Sequence, residues 1–129
     1  MKALALAAAL AVLASVGTAA AETCTLPLKP AVQVDLYFGR DNASDAAWAE
    51  FLASEVTPRF PEGLSVLDVA GQWRDPGGRI ARESSKLLIL IVFDAPAHAP
   101  KVEAVIAAFK KRFNQQSVLR VERAVCAAD

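Results

Sequence analysis

Leu87-Leu88-Ile89-Leu90-Ile91-Val92-Phe93 is an unbroken apolar run. A run of that length suits a central strand covered on both faces. Working back from it, Arg79 onward reads as the start of the same strand, and Asp75-Pro76-Gly77-Gly78 before it is a strong reversal signal. Leu64 to Trp73 is β-rich and forms the other arm of the hairpin. Working forward, Asp94 to Ala99 is a loop, and Pro100 suits the first turn of a helix. Val102, Val105, Ile106, Phe109 and Phe113 lie on one face of that helix, and Lys110, Lys111 and Arg112 sit near its C-terminus, where the dipole favours cations. Ser117 to Arg123 alternates as a last strand.

The first half repeats the pattern. Thr23 to Pro30 is an extended lead-in. Val32, Val34, Leu36 and Phe38 alternate with Gln33, Asp35 and Tyr37, which predicts a strand with one apolar face. Gly39 to Ser44 is a polar turn ending at a helix N-cap, Ser44 or Asp45. Trp48, Phe51, Leu52 and Val56 follow at helical spacing, and Pro58 and Pro61 stop the helix. The order β-α-β-β-α-β predicts an α+β, ferredoxin-like split βαβ arrangement, with two helices on one face of an antiparallel four-stranded sheet. The expected strand order is 4-1-3-2, which puts the apolar third strand inside the sheet.

The first 21 residues read differently. Met1-Lys2 is a short basic start, Ala3 to Ala14 is Ala, Leu and Val throughout, and Ala19-Ala20-Ala21 offers small residues for cleavage before Glu22. This is the layout of a secretory signal peptide, with residues 22–129 as a single domain. An uncleaved membrane anchor fits the weak hydrophobicity less well, and Glu22-Thr23 suits a lipoprotein signal before Cys24 badly. The expected location is the periplasm or the exterior, with no membrane insertion once the leader is removed.

Composition narrows function by exclusion. Fourteen basic and fourteen acidic side chains give a formal charge of zero, which argues against nucleic acid as a partner. Two cysteines cannot make a four-thiolate site, the one histidine has no ligand companions, and no metal or other cofactor is expected. Cys24 precedes the first strand and Cys126 follows the last. Those strands should be antiparallel neighbours, so the two cysteines meet at one end of the sheet and are expected to form a disulfide.

Alternation nominates a surface. Gln33, Asp35 and Tyr37 should point away from the helices, joined by Val118, Arg120 and Glu122 from the last strand. A hairpin register with Trp73 opposite Ile80 and Lys86 near Leu67 adds Asp68 and Gln72, with Leu87, Ile89 and Ile91 as an apolar floor. An apolar centre with a polar rim fits a ligand-binding concavity or a homodimer interface. Asp35 and Arg120 are expected to pair across the strands. Secondary candidates are Arg59, held between two prolines, and Trp73, Glu83 and Lys86 on the hairpin; Glu83 and Lys86 differ in parity and do not share a face. His98 is expected as an exposed loop or helix N-terminal residue.

Several short segments carry a family resemblance: Leu36-Tyr37-Phe38-Gly39; Thr57-Pro58-Arg59-Phe60-Pro61 with Gly63-Leu64 and Val66-Leu67-Asp68; Gly71-Gln72-Trp73-Arg74; Arg82-Glu83 and Ser85-Lys86; and Ser117-Val118-Leu119-Arg120-Val121. Together they resemble domain-of-unknown-function family 3574, small exported bacterial proteins. The loop after Gly39 is shorter than the family pattern, and Ser84 stands where proline is expected. The resemblance implies export and implies no reaction. The leading expectation is a non-enzymatic exported module that binds a small molecule or itself through the open sheet face. One alternative is a small envelope enzyme using Asp35, Tyr37 and Arg120; another is a structural or partner-binding envelope protein.

Overall fold

A computed structural model of the chain describes residues 23–129. The signal-peptide reading of residues 1–21 falls outside the described residues. The elements run β1 (Lys29–Gly39), α1 (Asp45–Phe51), β2 (Ser65–Arg74), β3 (Ile80–Val92), α2 (Ala99–Phe113) and β4 (Leu119–Ala127). They form one antiparallel sheet in the order β2-β3-β1-β4. This is the expected order read from the other edge, and the fold is α+β as predicted.

Local chemistry explains the helix boundaries at Ser44, Thr57 and Asn114. The Ser44 hydroxyl accepts the Ala47 N–H at 3.2 Å and caps α1. A wider π-helical turn, Leu52–Val56, continues α1 and ends as the Thr57 N–H reaches the Leu52 carbonyl at 2.9 Å. Pro58 then has no N–H to carry the helix on. Asn114 takes the left-handed conformation, φ 51°, at the end of α2. Pro30 is tolerated in a central strand because β3 stops opposite Val32, so Pro30 faces β4 alone.

Both helices cover the sheet face that bears Val34, Leu36 and Phe38 of β1 and Leu88, Leu90 and Val92 of β3. Phe38 is fully buried at the centre, with ring centroids 4.5 Å from Phe109, 5.4 Å from Trp48 and 6.0 Å from Phe51. These tilted and edge-on contacts are the arrangements aromatic quadrupoles favour. Cys24 and Cys126 form a disulfide with a Cα separation of 5.6 Å across 102 residues. It ties the lead-in to the end of β4, at the register step where Cys126 faces Pro30.

The register of the β2–β3 hairpin differs from expectation by one residue, and the faces of β4 are exchanged. In the β2–β3 hairpin Arg74 faces Ile80, Trp73 faces Ala81 and Lys86 faces Asp68. The cause is a five-residue loop clamped by Asp75, whose N–H reaches the Arg79 carbonyl and whose carboxylate accepts the Arg79 N–H at 2.8 Å. Gly78, at φ 83°, supplies the positive-φ step that this loop requires. A one-residue slip exchanges the faces of a strand, so Asp68 and Gln72 lie on the helix side and not on the open face. In β4 the parity is likewise reversed. Arg120 faces Leu36 and Glu122 faces Val34 on the helix side, while Leu119, Val121 and Arg123 lie on the open face. Val118 packs against the core. Both polar side chains are satisfied where they are: Arg120 pairs with Glu103 of α2 and with Glu122.

Candidate functional site

The open face is best described by the rows its register creates. Leu67, Leu87, Tyr37 and Leu119 form one row across all four strands. Ser65, Ile89, Asp35 and Val121 form the next, then Ile91, Gln33 and Arg123. Exposure within these rows is high for apolar groups: Leu119 is 61% exposed, Leu67 47%, Ile91 39% and Val121 38%. Phe93, just past β3, and Trp73, toward the hairpin tip, are about as exposed. An open antiparallel sheet ordinarily alternates apolar inward with polar outward. This one also carries exposed apolar side chains on its open face, around the polar group Gln33, Asp35 and Arg123.

Asp35 sits in the middle of that surface, 5% exposed. Its Oδ1 accepts the Gln33 side-chain amide at 2.8 Å, and its Oδ2 accepts Arg123 Nη2 at 2.7 Å. The expected partner, Arg120, points to the other side of the sheet. Sequence alternation could have found Arg123 in its place, since Arg123 shares the parity of Leu119 and Val121. A carboxylate this buried needs charge-assisted donors, and it has two.

At one end of the face Tyr37, Glu83, Ser85, Gln115 and Ser117 converge on a cleft of about 330 Å³, walled by Val69 and Leu119. Tyr37 and Glu83, nominated separately from sequence, thus line one depression. Glu83 lies against Gly71, where an added Cβ would come within 3.1 Å of its side chain. That close approach accounts for glycine in the strand.

The remaining candidates stand apart. Arg59 donates to the Glu55 carbonyl at 2.6 Å and to its carboxylate at 3.0 Å, satisfying the end of the first helical segment. Lys86 is buried on the helix side, its ammonium 2.6 Å from Asp68. The hydrogen bond from Lys86 holds the Asp68 carboxyl below its ordinary pKa, against desolvation and with help from the charges of Lys86 and Arg40. His98 is buried as the N-cap residue of α2, not exposed, with Nε2 3.3 Å from Glu122 Oε1. Burial pushes the Glu122 carboxyl up, but the Arg120 hydrogen bond and charge, with His98, more than offset it, and the net shift is downward. Among the described residues no group of three or more His, Cys, Asp and Glu side chains could hold a metal ion.

The architecture and its open face define a small disulfide-linked α+β domain. The sequence matches the family described as protein of unknown function (DUF3574) over residues 33–128, and the chain belongs to that family. No curated protein sequence matches it. Among solved structures, a phage SAM lyase in complex with S-methyl-5'-thioadenosine is similar at a TM-score of 0.56 and 14% identity, covering 77% of this chain and 90% of that one. The apo state of a phage SAM lyase gives 0.53 at 14% identity, with 76% and 89% covered. CutA from Synechococcus elongatus gives 0.51 at 9% identity, with 76% and 80% covered. At these identities the likeness extends to the fold alone.

Proposed function

We propose that this protein is an exported, non-enzymatic module that self-associates through the open face of its sheet. The observation that carries the reading is the row Leu67–Leu87–Tyr37–Leu119, with Ile89, Val121 and Ile91 beside it: an apolar surface crossing all four strands. Leaving such a surface in water is unfavourable by about 25 cal/mol for each Å², and contiguous exposed apolar area on a small domain marks an interaction site. The Asp35–Arg123 pair within it is a built-in polar mark that fixes the register of a partner. A second copy is the economical partner, because a two-fold axis covers both apolar faces at once.

Export is part of the same proposal: a leader ending at Ala21 and a mature domain from Glu22. The disulfide fits an oxidising compartment. No helix among the described residues is long and apolar enough to cross a membrane. N-terminal sequencing of the exported protein tests this, with a start at Glu22 expected and a retained Met1 contradicting it.

The cleft between Tyr37 and Glu83 favours a second reading, binding of a small molecule at the end of the same face. Its volume and convergent polar groups match what small ligands require. Native mass spectrometry of protein purified from its own envelope separates the two readings. Self-association gives a multiple of the chain mass without added mass; the second reading gives a bound small molecule that Tyr37→Ala releases.

A further inference from the structure

The helix side of the sheet holds a second cluster, independent of the open face. Beyond Phe38 the chain leaves β1 at Arg40, whose backbone N–H still pairs with the Ser84 carbonyl at 3.0 Å. Arg40 therefore lies beside Lys86 on β3. Lys86 is the most deeply held cation of the two, its side chain 11% exposed; that of Arg40 is 25% exposed, and its Nε is buried with no acceptor. The anions they face are the reverse. Asp68 is 72% and Asp45 84% exposed. Lys86 reaches Asp68 at 2.6 Å and Asp45 at 4.0 Å, while Arg40 reaches Asp45 at 2.5 Å and Asp68 at 3.6 Å. On the same face, further out along the hairpin, Gln72 faces Arg82.

This asymmetry has a consequence. A buried ammonium must always have a counter-charge. An exposed carboxylate has no such need, since water solvates it as well as an ion pair does. The two cations are thus fixed, and the two anions are replaceable. Each aspartate brings one charge on a separate side chain, whereas one dianion with several acceptor oxygens would neutralise both cations at once. A lysine point charge beside a guanidinium fork is a combination suited to phosphate oxygens.

We infer that Arg40 and Lys86 form a binding site for a phosphate-type dianion, closed in the free protein by the displaceable carboxylates of Asp68, on Lys86, and Asp45, on Arg40. Lys86 supplies the buried charge, Arg40 the directed donors, and Asp68 competes with the ligand. The lowered pKa of Asp68 accords with its role as the resident anion.

The test is titration of the disulfide-intact mature chain with inorganic phosphate, and separately with a simple alkyl phosphate, at constant ionic strength against chloride. Backbone amide NMR shifts at Arg40, Lys86 and Asp68 report the binding. Saturable shifts are expected in the parent, and Asp68→Asn should bind roughly two- to five-fold more tightly, the amount an exposed ion pair is worth. Lys86→Gln and, as a second variant that removes no buried ammonium, Arg40→Gln should each lose binding while keeping the parent's far-ultraviolet spectrum. Binding of both phosphates identifies a headgroup site open to esters; binding of the inorganic ion alone identifies a site for the free anion. No saturable shift in either the parent or Asp68→Asn overturns the inference, as does binding by folded Arg40→Gln equal to that of the parent.

Discussion

Arg123 reaches Asp35 across the β1–β4 ladder, Nη2 to Oδ2 at 2.7 Å, and in doing so holds the one buried carboxylate of the open face. The pair is lopsided: the Asp35 side chain is 7% exposed and that of Arg123 56%. Removing Arg123 leaves a desolvated carboxylate with only the Gln33 amide. Arg123→Ala should cost roughly 1–3 kcal/mol. The double variant Asp35→Ala/Arg123→Ala should lose less than the two single losses together. Urea unfolding at a fixed protein concentration measures both, and additive losses would mean that the two groups do not interact.

Phe38 is the hub of the aromatic core, touching rings from both helices. Phe38→Ala should destabilise by about 3–5 kcal/mol, the transfer term plus an unfilled cavity. Calorimetric melting checks it, and a loss under about 1 kcal/mol would show that the core collapses into the space.

The disulfide closes almost the whole described chain. In the chain-entropy account a loop of that length contributes up to about 4–5 kcal/mol. Cys24→Ser/Cys126→Ser should therefore melt well below the parent, and the unfolded, unreduced parent should titrate no thiols. Two titratable thiols would refute the bridge.

Acid sensitivity follows from the lowered carboxylates. Glu122 is lowered by Arg120 and His98 against the cost of burial, and Asp94 by its hydrogen bond from Lys101. A carboxyl with a depressed folded-state pKa stabilises fully above its ordinary value, about 4. That contribution is lost as the pH falls through the lowered value. Stability should thus decline below about pH 4, and Glu122→Gln should flatten the decline. Equal acid slopes in parent and variant would remove Glu122 from the account.

Element order, strand order, the disulfide and most of the core were legible in the sequence, because periodicity and topology determine them; Val118, expected on the open face, and Ala43 and Phe60, in the connecting segments, were not. The faces of β2 and β4 were not. For β4, alternation separates Leu119 and Val121 from Arg120 and Glu122 but does not say which set meets the helices. The usual inference sends the apolar set inward, and it fails here because Glu103 and His98 receive the polar set on the helix side while the open face itself carries exposed apolar side chains. For β2, the Asp75 backbone and carboxylate bonds to Arg79, with the positive-φ Gly78, set the loop length and with it the parity of Asp68 and Gln72. The Lys86–Asp68–Arg40 cluster follows from that same register, so it was hidden from any reading that placed Lys86 near Leu67.

The claim that the open face is an interface rests on one quantity, the mass of the protein in solution. Sedimentation equilibrium of the mature chain, run beside Leu119→Asp and Val121→Lys, measures it directly. Both substitutions lie at exposed positions on the open face and leave the core intact. The account predicts a parent that is a multiple of the chain mass and variants that are folded monomers. A parent that sediments as a monomer across the whole concentration range, with variants of the same mass, would contradict it.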